Sequence, residues 1–284
     1  MSPAPENSFS SLKGRLAIVT GAAEGIGAML AEGFARHGMD VALLDIQKEA
    51  AQDTAARLSA ETGQDCFAMW VDVSDRDAMV AAAEELAQKR DDWGLVWVNA
   101  GVGVGARLIG GNPRAVEWAY GVNVLGAIWT AQAFLPPLLA QKGARHIGFT
   151  ASSAALASPE APLTLYAATK HASLGLAEGL RAEAAAENIP MTILCPGLLN
   201  TDIWDAARAR PPKFGGPKRM DPSISGQWKA ALKPSTMWPH IADKMAEGGG
   251  YLTCLPPGGR HEDIAARFAA LSGSIVELKA EEGF

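Results

Sequence analysis

The sequence predicts an α/β protein whose parallel sheet is doubly wound, which means that helices cover both of its faces. Short apolar runs alternate with segments of helical periodicity from residue 16 to residue 195, and the connections between them are short. Such alternation is typical of a parallel sheet, because each strand must return through a crossover helix. The 284 residues suit one large domain, which we place at 13–284 after a flexible N-terminal tail at 1–12.

The elements follow from their hydrophobic patterns. The first strand is the apolar run LAIVT at 16–20, which ends at Gly21. A helix at 25–36 follows, because Ile26, Leu30 and Phe34 recur at helical spacing before Gly38 ends it. The same patterns predict further strands at 41–44, 66–71, 95–98, 145–150, 191–195 and 251–255, and further helices at 48–60, 75–90, 112–140, 163–187 and 261–271.

The alternation stops after Pro196, at the end of the sixth strand. Residues 198–248 are rich in Pro, Gly and Trp, and a long irregular insertion in a compact domain is typically a lid or a binding loop. We predict that they form an irregular or helical substrate lid around an apolar, aromatic pocket. The alternative, given equal weight, is that the large side chains pack the lid onto the body or form a subunit interface. These side chains are Trp204, Phe214, Met220, Trp228, Met237 and Trp238.

Composition and charge disfavour several classes of protein. The net charge of −6, from 25 basic and 31 acidic residues, argues against nucleic acid and anionic membranes as partners. The basic residues at 208–219 are scattered among prolines and glycines, and we interpret them as a solvated loop. Three cysteines without metal-ligand spacing predict buried thiols, no metal site and a cytoplasmic location. We expect neither a signal peptide nor a membrane span, since no run of 18 apolar residues occurs.

A glycine-rich turn, TGAAEGIG at 20–27, joins the first strand to the first helix. Glycines there let the backbone turn sharply and approach a pyrophosphate at the positive end of the helix dipole, as in a Rossmann-type dinucleotide site, although any tight turn also needs glycine. Asp45, which ends the second strand, can accept hydrogen bonds from both ribose hydroxyls and would repel the 2′-phosphate of NADP. Glu24 adds negative charge nearby, and Ile46 rather than a basic residue follows Asp45. We therefore predict NAD as the cofactor; a capping role for Asp45 is compatible with this.

A possible acid/base pair lies at the start of the helix predicted at 163–187. Tyr166 and Lys170 are four residues apart, so both point from one face of the helix. A phenol has a pKa of about 10, and we expect the nearby ammonium to lower that pKa and make the phenol a usable base. Ser152 and Ser153 follow the fifth strand at the carboxyl edge of the sheet, where open α/β sheets bind ligands. We expect Ser153 to hold the substrate oxygen, with a capping role for one of the two serines.

Taken together and in order, these motifs resemble those of the short-chain dehydrogenase/reductase family, of the core, non-extended type. The resemblance runs from about residue 12 to residue 202 and rests on seven spaced motifs, whose agreement in order is far more specific than any one of them. They are TGAAEGIG at 20–27, Asp72-Val73, Asn99-Ala100-Gly101, Asn123, Ser153, Tyr166-x-x-x-Lys170 and Pro196-Gly197-x-x-x-Thr201.

The resemblance implies a fold, an activity and a role for each matching residue. It implies an NAD-dependent oxidoreductase that interconverts a secondary alcohol and a ketone, with Tyr166 as acid/base, Lys170 lowering its pKa and holding the nicotinamide ribose, and Ser153 orienting the substrate oxygen. Asn123 would hold a water that relays protons through Lys170, or simply bond the backbone. The implied cofactor-binding residues are Gly21, Ala23, Glu24, Gly25, Ile26, Gly27, Asp45, Ile46, Asp72, Val73, Asn99, Ala100, Gly101, Tyr166, Lys170, Pro196, Gly197, Leu199 and Thr201.

The sequence departs from the family pattern in two places. Leu156 stands where a glycine is common after the active-site serine, and residues 250–284 replace the usual ending with PPGG at 256–259 and a further helix. The resemblance implies a homodimer or homotetramer built on the helices at 112–140 and 163–187. The substrate stays open among an aryl-glycerol alcohol, a steroid and a dihydrodiol. Three other functions also stay open: a non-catalytic dinucleotide sensor or scaffold, a structural oligomer whose tryptophans bind a protein partner, and an NAD-linked epimerase or lyase.

Overall fold

The computed structural model describes residues 9–106, 108–159, 162–219, 230–256 and 261–274. Within these ranges seven parallel strands form one sheet in the order β3-β2-β1-β4-β5-β6-β7, which confirms the predicted doubly wound α/β fold. The strand order reverses between β1 and β4, and open α/β sheets bind ligands at such a reversal. The strands are β1 Leu16–Thr20, β2 Asp40–Asp45, β3 Cys66–Trp70, β4 Trp93–Val98, β5 His146–Thr150, β6 Met191–Pro196 and β7 Gly249–Cys254.

Helices cover both faces of the sheet and create two hydrophobic cores. Alternate residues of a strand point to opposite faces, so Ile18 of β1 joins one core and Val19 joins the other. The first core contains α3 to α6, and the second contains α1, α2 and α7. The helices are α1 Gly25–Arg36, α2 Lys48–Thr62, α3 Arg76–Lys89, α4 Pro113–Tyr120, α5 Gly126–Leu139, α6 Thr164–Ala186, α7 Trp238–Ala246 and α8 His261–Gly273.

Of the predicted N-terminal tail at 1–12, residues 1–8 lie outside the described residues, and residues 9–12 differ from the prediction. Phe9–Leu12 forms a 3₁₀ turn whose Phe9 and Leu12 side chains are buried. The Phe9 ring stacks on His37 at 3.8 Å between centroids, and the His37 ring is within 3.0 Å of the Phe9 carbonyl oxygen. Residues 9–12 therefore belong to the domain, because they cover the end of α1.

The lid is also smaller than predicted, because the part of it from Met237 to Ala246 packs into the body. Trp238 begins α7 and lies edge-on against Phe34 of α1, with 5.4 Å between ring centroids. A Cβ added at Gly33 would come within 2.2 Å of the Trp238 ring, so a glycine is needed there. Met237 is fully buried in the same core. Trp228 and Met220 lie outside the described residues, Phe214 packs against the first core, and Trp204 lines the cleft.

The helix predicted at 112–140 is broken by a π-helical turn at Gly121–Leu125 between α4 and α5. Contrary to expectation, the described residues include one segment, Pro113–Leu139, that is long and apolar enough to cross a membrane by length and composition. Its buried side chains, Trp118, Phe134 and Leu138 among them, pack into the core beside β4 and α3. The apolar character of this segment is therefore accounted for by the interior of the α/β domain.

Candidate active site

A cleft of about 580 Å³ runs along the carboxyl ends of the strands, across the reversal between β1 and β4. Most of the predicted site residues line it, and Ala23 and Asn123 lie behind its wall. The predicted residues that line it are Gly21, Glu24, Gly25, Ile26, Gly27, Asp45, Ile46, Asp72, Val73, Asn99, Ala100, Gly101, Ser153, Tyr166, Lys170, Pro196, Gly197, Leu199 and Thr201. Tertiary structure thus brings together residues that are up to 180 positions apart in the chain (201 − 21).

The glycine turn packs directly against the loop that follows β4. Gly21 and Gly25 have φ angles of 65° and 60°, in the left-handed region that favours glycine. A Cβ at Gly27 would lie 1.9 Å from the carbonyl oxygen of Gly21. The Asn99 side chain donates to the carbonyl oxygens of Thr20, at 2.9 Å, and Gly21, at 3.2 Å. The turn therefore leaves its backbone open to the cleft at the N-terminus of α1, where the helix dipole favours an anion.

Asp45 is held by backbone amides at the same end of the cleft. One carboxylate oxygen accepts the amide hydrogen of Ala23 at 3.0 Å, and the other accepts that of Gln47 at 2.9 Å. This explains why Ala23 lies behind the wall, and it shows that Asp45 caps the turn as well as facing the cleft. Burial raises the pKa of Asp45, while the amides of Gln47 and Ala23 and the charge of Arg208 lower it. Each oxygen retains a lone pair that can accept a further hydrogen bond.

Two basic residues that sequence reasoning assigned to a solvated loop contact carboxylates of this end. Arg208 forms an ion pair with Glu24, and Lys213 forms one with Asp72 at 3.0 Å. Arg208 also lines the cleft. Nothing in the sequence pairs these residues, since Arg208 and Glu24 are 184 positions apart. We correct the prediction accordingly: at Arg208 and Lys213 the loop is a charged rim of the cleft.

The chemical end of the cleft holds Tyr166 and Lys170, both buried, on one face of α6. The Lys170 ammonium lies 5.9 Å from the centroid of the Tyr166 ring. Burial lowers the pKa of Lys170 to about 8. Burial raises the pKa of Tyr166, and a hydrogen bond with Ser152 lowers it. The expected lowering of the Tyr166 pKa by Lys170 is therefore not seen here, because removal of the phenol from water dominates.

Ser152 rather than Ser153 contacts the tyrosine. The Ser152 side chain hydrogen-bonds Tyr166 and also accepts the amide hydrogen of Ala154 at 3.1 Å, which caps the 3₁₀ turn Ser153–Ala155. Ser153 is the first residue of that turn and lines the cleft. The role predicted for Ser153 in holding the substrate oxygen stays a prediction, and Ser152 is a second candidate for that role because it hydrogen-bonds Tyr166.

Asn123 lies in the π-helical turn and is buried behind the chemical end. Its amide group accepts from the Val102 amide at 2.7 Å and donates to the Val102 carbonyl at 3.0 Å. It also donates to the Thr169 hydroxyl at 2.9 Å. π-Helical turns occur often at functional sites, and this one places Asn123 where it joins the loop after β4 to α6. The water relay implied for Asn123 stays a prediction.

Apolar side chains enclose the chemical end, and several come from regions without a sequence motif. Trp204 lies 5.2 Å from Tyr166 between ring centroids. Ile264 of α8 lines the cleft as well. Arg267 holds α8 in place by donating to the carbonyl oxygens of Ala155, at 3.2 Å, and Leu156, at 2.7 Å. The other apolar residues of this lining include Val102, Ala154, Ala157, Leu163, Leu198, Ile203, Leu255 and Pro256.

The cleft suits a dinucleotide and shows no cluster of metal ligands. The open glycine turn at a helix N-terminus fits a pyrophosphate, and Asp45 fits a ribose diol. A Cβ at Gly27 would lie 1.9 Å from the carbonyl oxygen of Gly21 and 2.7 Å from the side-chain nitrogen of Asn99. Only glycine therefore fits at this position without a shift of the backbone. Within the described ranges, no three or more His, Cys, Asp or Glu residues lie together as a metal site would need.

Comparison with known proteins gives consistent matches. The family model for short chain dehydrogenase matches residues 15–212. The 1-deoxy-11-beta-hydroxypentalenate dehydrogenase of Streptomyces exfoliatus is 34% identical over 223 residues, which is 78% of each chain. A short chain dehydrogenase/reductase from Burkholderia phymatum in complex with NAD has a TM-score of 0.84 and 28% identity, covering 95% of this chain and 99% of its own. A short chain dehydrogenase from Escherichia coli CFT073 complexed with NADPH has a TM-score of 0.70 and 26% identity, covering 87% and 99%.

Proposed function

Because the chain belongs to the short-chain dehydrogenase/reductase family, we propose that it interconverts a secondary alcohol and a ketone with NAD(H) as cofactor. The observation that carries this proposal is the cluster of Ser152, Tyr166 and Lys170 in the same cleft as the glycine turn. Ser152 and Tyr166 are within hydrogen-bond distance of each other, so one substrate oxygen can contact both hydroxyl groups. NAD bound in this cleft would supply the hydride acceptor for oxidation of an alcohol, and NADH would supply the hydride for reduction of a ketone.

Each residue of the cluster has a separate task. The Ser152 hydroxyl donates a hydrogen bond that orients the substrate oxygen. The Tyr166 hydroxyl takes the proton from an alcohol or returns it to a ketone, as a general base or acid. Lys170, which lies on the same face of α6 with its ammonium 5.9 Å from the centroid of the Tyr166 ring, would hold the nicotinamide ribose. Asn123 is a positioning residue, because its side chain fixes Thr169 of α6 one residue before Lys170.

The adenosine end favours NAD over NADP in this proposal. Asp45 would present a carboxylate to the ribose that carries the 2′-phosphate in NADP, and like charges repel, whereas the charge of Glu24 is paired with Arg208. Asp45 can instead accept hydrogen bonds from the ribose hydroxyls. The NAD complex of the Burkholderia phymatum relative is compatible with this choice.

A hydrophobic secondary alcohol, aromatic or alicyclic, fits the chemical end best. Its enclosing residues are apolar apart from the reacting hydroxyls and Lys170, so burial of apolar substrate surface would drive binding. Trp204 provides a flat face close to Tyr166.

The proposal also includes a cytoplasmic homo-oligomer built on the outer faces of α4, α5 and α6, where Tyr120 and Leu125 are among the exposed apolar residues. Light scattering of the purified protein measures that assembly.

The test is a comparison of the wild type with Tyr166→Phe on a panel of aromatic, alicyclic, steroid and sugar alcohols. We expect NADH formation with NAD and a hydrophobic alcohol, and a loss of turnover of about 10²- to 10⁴-fold in Tyr166→Phe, because the variant lacks the proton-carrying oxygen. NADH binding, measured by fluorescence, should persist in the variant. A protein that binds NADH but oxidises none of the alcohols contradicts the proposal and favours a non-catalytic sensor. Turnover with NADP alone contradicts the cofactor choice.

A further inference from the structure

The segment at 202–214, which we name the strap, lies along the open side of the cleft. It consists of two 3₁₀ stretches, Asp202–Ala209 and Pro212–Phe214, and none of their residues is buried. Ala206, Ala207 and Phe214 are partly buried against the first hydrophobic core, and burial of apolar surface helps to fix a segment in place, so the polar contacts of the strap add to a partial apolar attachment. Segments with few buried apolar contacts open most easily.

The two ends of the strap are attached differently. At the chemical end, the backbone amide of Gly103 donates to the carbonyl oxygen of Ile203 at 2.9 Å, and Trp204 lies against Tyr166. At the adenosine end, two ion pairs add to the packing of Phe214: Arg208 contacts Glu24, and Lys213 contacts Asp72. Backbone hydrogen bonds and ring contacts are insensitive to salt, whereas partly exposed ion pairs are screened by it. The adenosine end is therefore the end that salt can release.

The Arg208 contact is the better placed of the two ion pairs. The Arg208 side chain is 22% exposed, against 44% for Lys213. Its guanidinium also donates to the Asp205 carbonyl oxygen at 3.2 Å, which holds it in line with its own 3₁₀ stretch. Glu24 immediately precedes α1 within the glycine turn. The contact therefore joins the strap to the part of the cleft that would hold the pyrophosphate.

We propose that Arg208, through Glu24, is a positioning residue that fastens the strap over the adenosine end and slows release of the dinucleotide. The inference rests on the proposed function, since it requires a dinucleotide in the cleft. Lys213 and Asp72 form a second, weaker fastening of the same kind. Cofactor release limits turnover in many enzymes that close a segment over their site, so this contact would influence kcat without touching the reacting atoms.

The experiment measures the rate of NADH release by stopped-flow fluorescence, with excess NAD as competitor. We expect Arg208→Gln to release NADH roughly three- to fivefold faster than the wild type. Raising the salt concentration should accelerate release from the wild type more than from Arg208→Gln, because the variant has already lost the pair. The matched control is Arg57→Gln, which removes an arginine that pairs with Glu32 and Glu61 away from the cleft. It should release NADH at the wild-type rate.

Glu24→Gln separates a fastening from direct attraction between Arg208 and the anionic dinucleotide. If Arg208 acts through Glu24, Glu24→Gln also speeds release, and the double variant releases NADH no faster than either single variant. If Arg208 attracts the dinucleotide directly, removal of the negative Glu24 slows release, and that result overturns the inference. If Arg208→Gln weakens the binding of NADPH but leaves NADH release unchanged, the inference is also overturned. Arg208 would then contact the 2′-phosphate of NADPH rather than act through Glu24.

Failure of the inference is distinguishable from failure of the proposed function. A wild-type protein that binds NADH and releases it as fast as Arg208→Gln keeps the dinucleotide function and overturns the fastening. A wild-type protein that binds no NADH overturns the proposed function and, with it, the fastening. As a control for folding, the circular dichroism spectrum of each variant and the number of NADH molecules it binds are compared with those of the wild type.

Discussion

The adenosine half and the chemical half of the cleft treat charge in opposite ways. In the adenosine half, the carboxylates of Glu24 and Asp72 meet cations of the strap, and these pairs remain partly exposed. In the chemical half, Lys170 is 3% exposed, and among the described residues no carboxylate pairs with it. Partly exposed pairs are screened by salt, whereas a buried ammonium responds to pH. One cleft therefore has two independent chemical sensitivities, and each can be perturbed without the other.

The largest expected effect is a loss of turnover that distinguishes Ser152 from Ser153 in the chemical half. Ser152→Ala removes the hydroxyl that contacts Tyr166, and we expect turnover to fall by about 10²- to 10³-fold, as for removal of one hydrogen-bond donor to a reacting oxygen. Ser153→Ala makes the same chemical change one residue later and should leave turnover within about twofold, because Ser153 lines the cleft without the hydrogen bond to Tyr166 that Ser152 makes. Steady-state kinetics of both variants measure this. Equal losses, or a larger loss for Ser153→Ala, would contradict the assignment of Ser152.

The second prediction concerns the buried charge of Lys170. Its pKa in the folded protein is about 8, against 10.5 as the ordinary value. Below pH 8 both folded and unfolded chains carry the charge, so the folded protein bears the whole cost of burying it. Between pH 8 and 10.5 the unfolded chain holds a proton that the folded chain has lost, so stability rises with pH there. Lys170→Met should therefore be more stable than the wild type by about 3 kcal/mol near neutral pH, although inactive.

That stability advantage should disappear as the pH approaches 10.5. Urea unfolding of the wild type and of Lys170→Met, near neutral pH and at about pH 10, measures the change. The control is Lys89→Met on α3, where an exposed lysine pairs with Glu85 and should show no such pH dependence. If the difference in free energy of unfolding between the wild type and Lys170→Met stays constant across this pH range, burial does not lower the pKa of Lys170.

The smallest expected effect tests the adenosine half. Gly27→Ala places a methyl group against the carbonyl oxygen of Gly21, and we expect it to destabilise the protein by about 1–3 kcal/mol. NADH affinity should fall with it, because the same turn faces the cleft. Gly175→Ala in α6, whose added Cβ would meet nothing within 4 Å, should instead be neutral or stabilising by about 0.5–1 kcal/mol. Thermal unfolding and NADH titration of both variants provide the measurement.

The sequence predicted the adenosine half better than the chemical half. The glycine turn and Asp45 lie at the ends of neighbouring strands, so their spacing along the chain maps onto the site with little freedom. The chemical half depends on longer connections, and spacing alone did not show which of the two neighbouring serines hydrogen-bonds Tyr166. The lid that contains the strap was predicted, but its contact with the glycine turn was not, because Arg208 and Glu24 are 184 positions apart.

The hydrophobic patterns of the chain determined the order of strands and helices, because period and turn residues are local properties. The motifs determined which residues meet at the carboxyl edge of the sheet, because parallel strands all end there. Tertiary structure decided the rest: that Trp238 packs into the core rather than over the site, that Ser152 contacts Tyr166, and that Arg208 contacts Glu24. These outcomes depend on the free space and unpaired charge left between distant segments once the sheet has formed, and no local pattern in a sequence records them.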